Sequence, residues 1–288
     1  MTLTYIVPPE AEGMLLHDVL RRGLGLSAQL CRNVKRTPGA LLVDGRPMFA
    51  NQRVRAGMRV TVEMADRAPA APYGAAGLEI IYEDDALLCV NKPSGMVCHP
   101  TRGLAPGEET LLGRVEAYLG YAPHPVHRLD RGTSGLWLVA KNAYVQARLQ
   151  WLEKTYMAVC LGMPEPAQGT INLPILTHPD RPRRTIDSAG KSAVTHYQTL
   201  RTRAGASLVR AVISTGRTHQ IRVHLAALGC PILGDPLYAT AESAQKTAAL
   251  GVTRLLLHAS GLRFLHPVTG EDVTLTCACQ TFPTFMME

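Results

Sequence analysis

The chain has 288 residues, 46% of them hydrophobic and 18% charged. That is enough apolar material for a sizeable core, at a length that suggests about two domains of ~100–200 residues, and it excludes a disordered or coiled-coil polymer. Lysine and arginine number 30 against 23 acids, a net charge of +7 that points to a polyanionic partner. No apolar run approaches the ~20 residues that a membrane-spanning helix needs, and Met1-Thr2-Leu3-Thr4-Tyr5 lacks a basic-then-apolar leader, so no membrane association and a cytoplasmic location are expected.

In chain order, Leu15, Leu16, Val19 and Leu20 recur at helical spacing. Gly23-Leu24-Gly25-Leu26-Ser27-Ala28 has the letters of a dinucleotide-binding loop, but it follows a helix and lacks a ribose-binding acid, so it reads as a turn between helices. A second helical stretch runs from Ser27 through Leu30, Val34 and Lys35. Residues 40–43 then form a strand, Asp44-Gly45 reads as a hairpin turn, and residues 54–62 supply its expected return strand. Small residues and proline from Asp66 to Gly77 read as a linker, which divides the chain into 1–65, 66–77 and 78–288. Beyond it, strands are predicted at 78–82, 87–90, 136–140, 157–160, 193–197, 208–213 and 273–276, and helices at 111–119, 143–152 and 220–228. Strands outnumber helices without alternating with them, so the fold class is α+β.

Seven cysteines, an odd number without a repeating spacing, read as reduced thiols. Cys277-Ala278-Cys279 has no second ligand pair nearby and reads as alternating residues of a C-terminal strand; no zinc is expected. Gly132-Thr133-Ser134-Gly135 misplaces its second glycine for a nucleophile elbow. His219 and His224 lie five apart, the wrong spacing for a helical zinc pair.

Two segments stand out. In His127-Arg128-Leu129-Asp130-Arg131-Gly132-Thr133-Ser134-Gly135 an acid sits between arginines and glycines at the mouth of a strand, where it serves either a site or merely a turn or ion pair. In Gly216-Arg217-Thr218-His219-Gln220-Ile221-Arg222-Val223-His224-Leu225, followed by Gly234-Asp235-Pro236, two arginines and two histidines surround a strand-to-helix junction suited to an anion, or else form a solvated basic face.

Together these segments resemble the RluA-type family of RNA pseudouridine synthases, whose signature H-R-L-D-x-x-T-S-G, followed by a strand ending in A-K, is complete from His127 to Lys141. Further landmarks agree in order: Asn91-Lys92-Pro93-Ser94-Gly95, Cys98-His99-Pro100, Lys154-Thr155-Tyr156-Met157-Ala158, Gly190-Lys191-Ser192, Leu257-His258-Ala259 and Leu265-His266-Pro267. The resemblance covers residues 78–285 and implies a mixed, mainly antiparallel catalytic sheet. Residues 13–65 are similar to the small alpha-L RNA-binding module known from a ribosomal protein. Between Asn142 and Lys154 the chain is shorter than the family pattern, so the helix there is expected to be truncated.

The resemblance implies isomerisation of uridine to pseudouridine, which requires no cofactor and no metal. Asp130 would be the nucleophile at the sugar carbon or the base that yields a glycal. Tyr156 would stack on the uracil and serve as base at carbon-5, and Arg222, ahead of Arg217, would pair with Asp130 and keep it ionised. The target must be flipped out of its stack, with His127 and Arg128 filling the gap or holding the backbone. His219, Arg217, Arg181, Arg183 and Arg184, with Arg32, Lys35, Arg36, Arg53 and Arg55 of the N-terminal module, would contact RNA. Large-subunit ribosomal RNA is the expected partner, ahead of transfer RNA, for a protein expected to be a monomer. A catalytically silent RNA-binding or ribosome-assembly factor is the alternative, and a glycoside hydrolase is disfavoured because no second acid accompanies Asp130.

Overall fold

The structure is a computed structural model that describes residues 2–64, 77–101, 104–105, 107–149, 152–178, 180–279 and 282. Strand β1 (Thr2–Ile6) pairs antiparallel with β4 (Arg59–Glu63), Leu3 opposite Val62 and Tyr5 opposite Val60. The sequence gives no sign of β1 because none of its residues is fully buried. Helical residues Leu16–Asp18 continue as a wider helical turn, Val19–Gly23, together α1. A turn follows, with Gly25 at φ 65°, and then the Ser27 hydroxyl accepts from the Leu30 N–H at 3.2 Å and opens α2 (Ala28–Arg36). The dinucleotide-like letters therefore do mark a turn.

Asp44 and Gly45, at φ 50° and 77°, turn β2 (Leu41–Val43) into β3 (Arg46–Pro47). The hairpin thus closes on a two-residue strand and not on 54–62, since Pro47 has no N–H with which to extend the ladder. The longer strand, β4, begins only at Arg59 and pairs with the other edge of β2, giving the order β1-β4-β2-β3. The expected linker lies outside the described residues except for Gly77.

The second sheet holds ten strands among the described residues. Its first half comprises β5 (Ile80–Glu83), β6 (Leu87–Lys92), β7 (His124–Pro125) and β8 (Ser134–Ala140), with α3 (Leu111–Leu119) between β6 and β7. Helix α4 (Ala143–Arg148) is cut short as expected, and the chain passes through β9 (Glu153–Leu161) to β10 (Gln168–Asn172). A short separate pair, β11 (Ile175–Leu176) and β12 (Thr185–Ile186), precedes the long hairpin β13 (Val194–Arg203) and β14 (Ala206–Ile213). Helices α5 (Gln220–Ala227) and α6 (Ala241–Ala249) then lead to β15 (Leu257–Leu265) and β16 (Asp272–Thr276). The sheet order is β10-β13-β14-β9-β15-β8-β6-β5, with β16 against β15 and β7 against β8. Every pairing is antiparallel except β15 with β8. Strand β16 ends at Thr276, so Cys277 and Cys279 lie beyond it, both buried, contrary to their expected place within the strand.

All of β8 is buried because both faces of the sheet are covered. Trp137 and Val139 join Leu111 and Val115 of α3 and Ile221 and Leu225 of α5 in one core. Leu136, Leu138 and Ala140 point the other way, into a cluster continuous with Val19, Leu20 and Leu30 of the N-terminal unit, and Arg148 bonds the Leu24 carbonyl at 2.9 Å across that contact.

The parallel seam explains one glycine of the signature. Gly135 pairs with Ala259 at φ 108°, and an added Cβ would lie 2.2 Å from the Ala259 carbonyl oxygen. Gly135→Ala is expected to cost about 2–5 kcal/mol, combining backbone strain with overpacking. Urea unfolding measures it, and unchanged stability would contradict the close approach of β8 to β15.

Candidate active site

Asp130 sits in the loop that feeds β8, and the loop is pinned from several sides. The Thr133 N–H returns to the Asp130 carbonyl at 3.1 Å, closing a turn. Ser94 donates to the Gly132 carbonyl at 2.8 Å, and the Gly95 N–H to the Arg131 carbonyl at 2.8 Å. Lys92, fully buried, donates to the carbonyls of Pro93, Met96 and Arg131 at 2.8, 2.6 and 3.1 Å. Burial pulls its ammonium down to about 8. From the far side the Ser134 hydroxyl meets His258 Nδ1 at 2.9 Å, and Arg254 reaches the same hydroxyl at 3.3 Å. The resemblance landmarks at 91–95, 134 and 258 thus converge on one loop.

Helix α5 delivers the partner of Asp130. Arg222 is buried, and its Nη1 donates to Asp130 Oδ2 at 3.3 Å. The other side of the guanidinium forms a fork on Asp235, Nε to Oδ2 and Nη2 to Oδ1, both at 2.7 Å. Burial works against the Arg222 cation, but the hydrogen bonds and charges of Asp235 and Asp130 outweigh it and hold its pKa above the ordinary value. Asp235 also accepts from the N–H groups of Leu237 and Tyr238 at 2.9 and 3.2 Å. The Tyr238 ring lies under Arg222 and Arg183, 5.2 and 5.3 Å from their guanidinium carbons.

His219 caps the start of α5 at φ 60°, a left-handed conformation unusual for histidine and typical of strain at functional sites. The Tyr238 hydroxyl accepts from the Arg184 N–H at 2.8 Å and lies 3.1 Å from His219 Nδ1, which leaves Nε2 facing Asp130 Oδ2 at 3.9 Å. Burial, opposed by the Asp130 charge, lowers the His219 pKa, so the imidazole is neutral.

The Asp130 side chain, 17% exposed, opens into a pocket of about 250 Å³. Tyr156 and Lys154, two residues apart on β9, share one wall with Ile213 of β14. Tyr156 is 5% exposed, and burial, followed by the Asp130 and Cys98 charges, pushes its phenol well above the ordinary value. The phenol therefore stands protonated, and the base role expected of it would require a phenolate that these surroundings oppose. His127 lines the same pocket but is tied inward: its Nε2 accepts from the Leu138 N–H at 3.2 Å, and burial lowers its pKa to about 3. Arg128, exposed, borders both this pocket and a wider cleft of about 760 Å³ on the other side of Asp130.

The remaining predicted residues fall into two groups. Arg217 is exposed at the pocket rim and donates to the Ser192 carbonyl at 3.0 Å; it is Arg222, not Arg217, that meets Asp130. Arg181 and Arg183 are exposed, whereas the half-buried Arg184 spends its Nη1 on the carbonyls of Arg181 and Pro182. Arg32, Lys35 and Arg36 are exposed on α2, and Arg53 and Arg55 are exposed on the loop before β4, with Arg53 bonded to the Gly13 carbonyl.

Asp235, Tyr238 and Lys154 were not singled out as site residues from the sequence, although Asp235 and Lys154 lie inside recognised motifs. Nothing in spacing alone shows that Arg222 meets a carboxylate 13 residues on.

A family model described as RNA pseudouridylate synthase matches residues 86–227. The ribosomal large subunit pseudouridine synthase D of Xanthomonas campestris pv. campestris is 39% identical over 82% of this chain and 76% of its own. An uncharacterized RNA pseudouridine synthase of Mycobacterium bovis is 36% identical over 93% of this chain and 92% of its own. The solved structure of human RNA pseudouridylate synthase domain containing 1 aligns at a TM-score of 0.60 and 26% identity, covering 75% of this chain and 89% of that one. By these matches, with the signature residues gathered around one pocket, the chain belongs to the RluA-type family of RNA pseudouridine synthases and is an enzyme of that kind.

Proposed function

We propose that the enzyme isomerises uridines of large-subunit ribosomal RNA, with Asp130 acting at the ribose of a flipped-out nucleotide. The observation that carries the reading is the Asp130–Arg222–Asp235 chain: a carboxylate open to a narrow pocket, beside a cation fixed by a second carboxylate. Such a carboxylate attacks an electron-poor sugar carbon or removes its neighbour's proton without any cofactor. A pocket of about 250 Å³ admits a single nucleoside and not a duplex, so the target leaves its stack at a cost of a few kcal/mol. Tyr156 forms the surface against which the uracil lies. Arg128, between the pocket and the wider cleft, takes the flanking strand. Ribosomal RNA is favoured because relatives matched over most of the chain, from Xanthomonas campestris pv. campestris and Neisseria meningitidis, carry the name ribosomal large subunit pseudouridine synthase D. No helix among the described residues is long and apolar enough to cross a membrane.

Residues 1–65 act in this reading as the alpha-L RNA-binding module, with Arg32, Lys35 and Arg36 on one helix as its phosphate contacts. With those three, Arg53 and Arg183 each neutralising one phosphate, log affinity falls against log salt with a slope of about −3.5 to −4.5. Replacing Arg32, Lys35 and Arg36 by alanine shallows that slope by about 2–3. A slope unchanged in fluorescence titrations removes the module from the RNA interface. The activity itself is tested by mapping pseudouridine in ribosomal and transfer RNA from cells with and without the gene. Loss at ribosomal uridines that an Asp130→Asn copy fails to restore supports the reading; loss confined to transfer RNA overturns the choice of substrate.

A further inference from the structure

Lys154 has no part in the chemistry given so far. It lies two residues before Tyr156 on β9, on the same face, with Ile213 opposite it in the ladder. A Cβ placed on Gly216 would sit 3.5 Å from the Lys154 nitrogen, so the ammonium reaches the glycine wall of the Asp130 pocket. It finds no hydrogen-bond or salt-bridge partner among the described residues. Asp130, the acid of that lining, is engaged by Arg222, and Glu153 projects from the opposite face of the strand. Burial pulls the Lys154 pKa below its ordinary value. A desolvated cation without a counter-ion costs stability, and such groups cluster where a substrate supplies the missing charge.

We infer that Lys154 is a catalytic residue that holds the uracil anion released when the glycosidic bond breaks. The inference rests on the reading of Asp130 as the group that acts at the ribose. The C1′–N1 bond breaks with its electron pair left on N1 and spread over the O2 and O4 oxygens. At the sugar, either an Asp130 oxygen bonds C1′, or Asp130 takes the C2′ proton and the freed pair forms the C1′–C2′ double bond. Both courses release the same uracil anion. Lys154 keeps its three protons and donates hydrogen bonds to the ring oxygens, stabilising the charge and retaining the base while it turns to present C5. As the new C5–C1′ bond draws its pair from the ring, the Asp130–C1′ bond breaks and returns its pair to the carboxylate, or the double-bond pair takes the proton back from Asp130 onto C2′; C5 releases one proton and N1 takes one up, so product and substrate are isomers.

The test uses the full chain, in excess, on a transcript of the RNA segment identified by the pseudouridine map, made with either uridine or 5-fluorouridine. Fluorine withdraws electrons from the ring, so the fluorinated anion needs less help. Lys154→Met is expected to slow glycosidic cleavage of the uridine transcript about 10²–10³-fold, as loss of one charge-stabilising donor does elsewhere. RNA affinity is expected to change less than about 3-fold, and the deficit on 5-fluorouridine to be at least about 10-fold smaller. Lys154→Arg, which keeps the charge, is expected to recover part of the rate. The melting temperature of Lys154→Met should not fall, because the variant relieves a half-buried charge that has no partner among the described residues. Equal deficits on both transcripts, or a loss confined to affinity, would make Lys154 an anchor of the RNA or the fold and overturn the inference, as would wild-type rates in Lys154→Met. A wild-type chain that makes no pseudouridine overturns the reading of the pocket and this inference with it, whereas an active wild type beside an unaffected Lys154→Met overturns the inference alone.

Discussion

Asp130→Asn is expected to lower the single-turnover rate on the order of 10⁴-fold or more, the scale on which enzymes lose activity when the group that attacks or deprotonates is removed. The fold should hardly register the change. Asp130 is partly exposed and gives Arg222 one contact at 3.3 Å, while the two 2.7 Å bonds to Asp235 remain. A loss below about 1 kcal/mol is therefore expected in urea unfolding. RNA affinity should hold within about 3-fold or rise slightly, since one negative charge leaves a surface that meets phosphates. Turnover within 10-fold of wild type would remove Asp130 from the chemistry.

Asp235→Ala is expected to do the reverse in stability while also abolishing activity. It strips the Arg222 fork and leaves a buried guanidinium with only its longer contact to Asp130, and it also leaves the N–H groups of Leu237 and Tyr238 without an acceptor. Breaking a buried pair by removing one partner costs about 3–5 kcal/mol, which for a domain of about 200 residues is a fall of roughly 6–20 °C in melting temperature. Calorimetry compares the two variants directly: Asp130→Asn melts like wild type and Asp235→Ala does not. If both melted like wild type, Arg222 would be held by something other than Asp235. If both fell equally, Asp130 would belong to the structural ion pair and not to the pocket.

Asp130 and Arg222 were legible because they sit in long motifs whose chemistry is specific, and the structure brings them within hydrogen-bond reach across 92 residues of chain. The strands read from the sequence are those that bury alternate or continuous apolar residues, such as 136–140. Those missed have a physical reason. Strand β1 buries nothing fully, the apolar pattern of β15 is interrupted at Ser260 and Gly261, where its ladder to β9 shifts register, and the helix α6, Ala241–Ala249, is built from small and polar residues and held by a Thr240–Ser243 capping box instead of an apolar stripe. The Asp44-Gly45 turn was right, but its return strand was set too late, because turn chemistry fixes where a hairpin reverses and not which neighbour its strand finds. The fork on Asp235, and a Lys154 with no partner among the described residues, depend on tertiary placement that no local pattern encodes.

The seam between β8 and β15 also sets an order of events during synthesis. The loop that carries Asp130 is tied at Ser134 to His258, 124 residues further along. At about 5–20 residues per second, a ribosome needs roughly 6–25 s to move from one to the other. Until then the start of β8, at Ser134 and Gly135, has no strand beside it on the edge where β7 pairs further along, and the Asp130 loop lacks one of its anchors. A nascent chain in which His258 has yet to be made therefore carries an immature site, so that such a product is held inactive by topology alone.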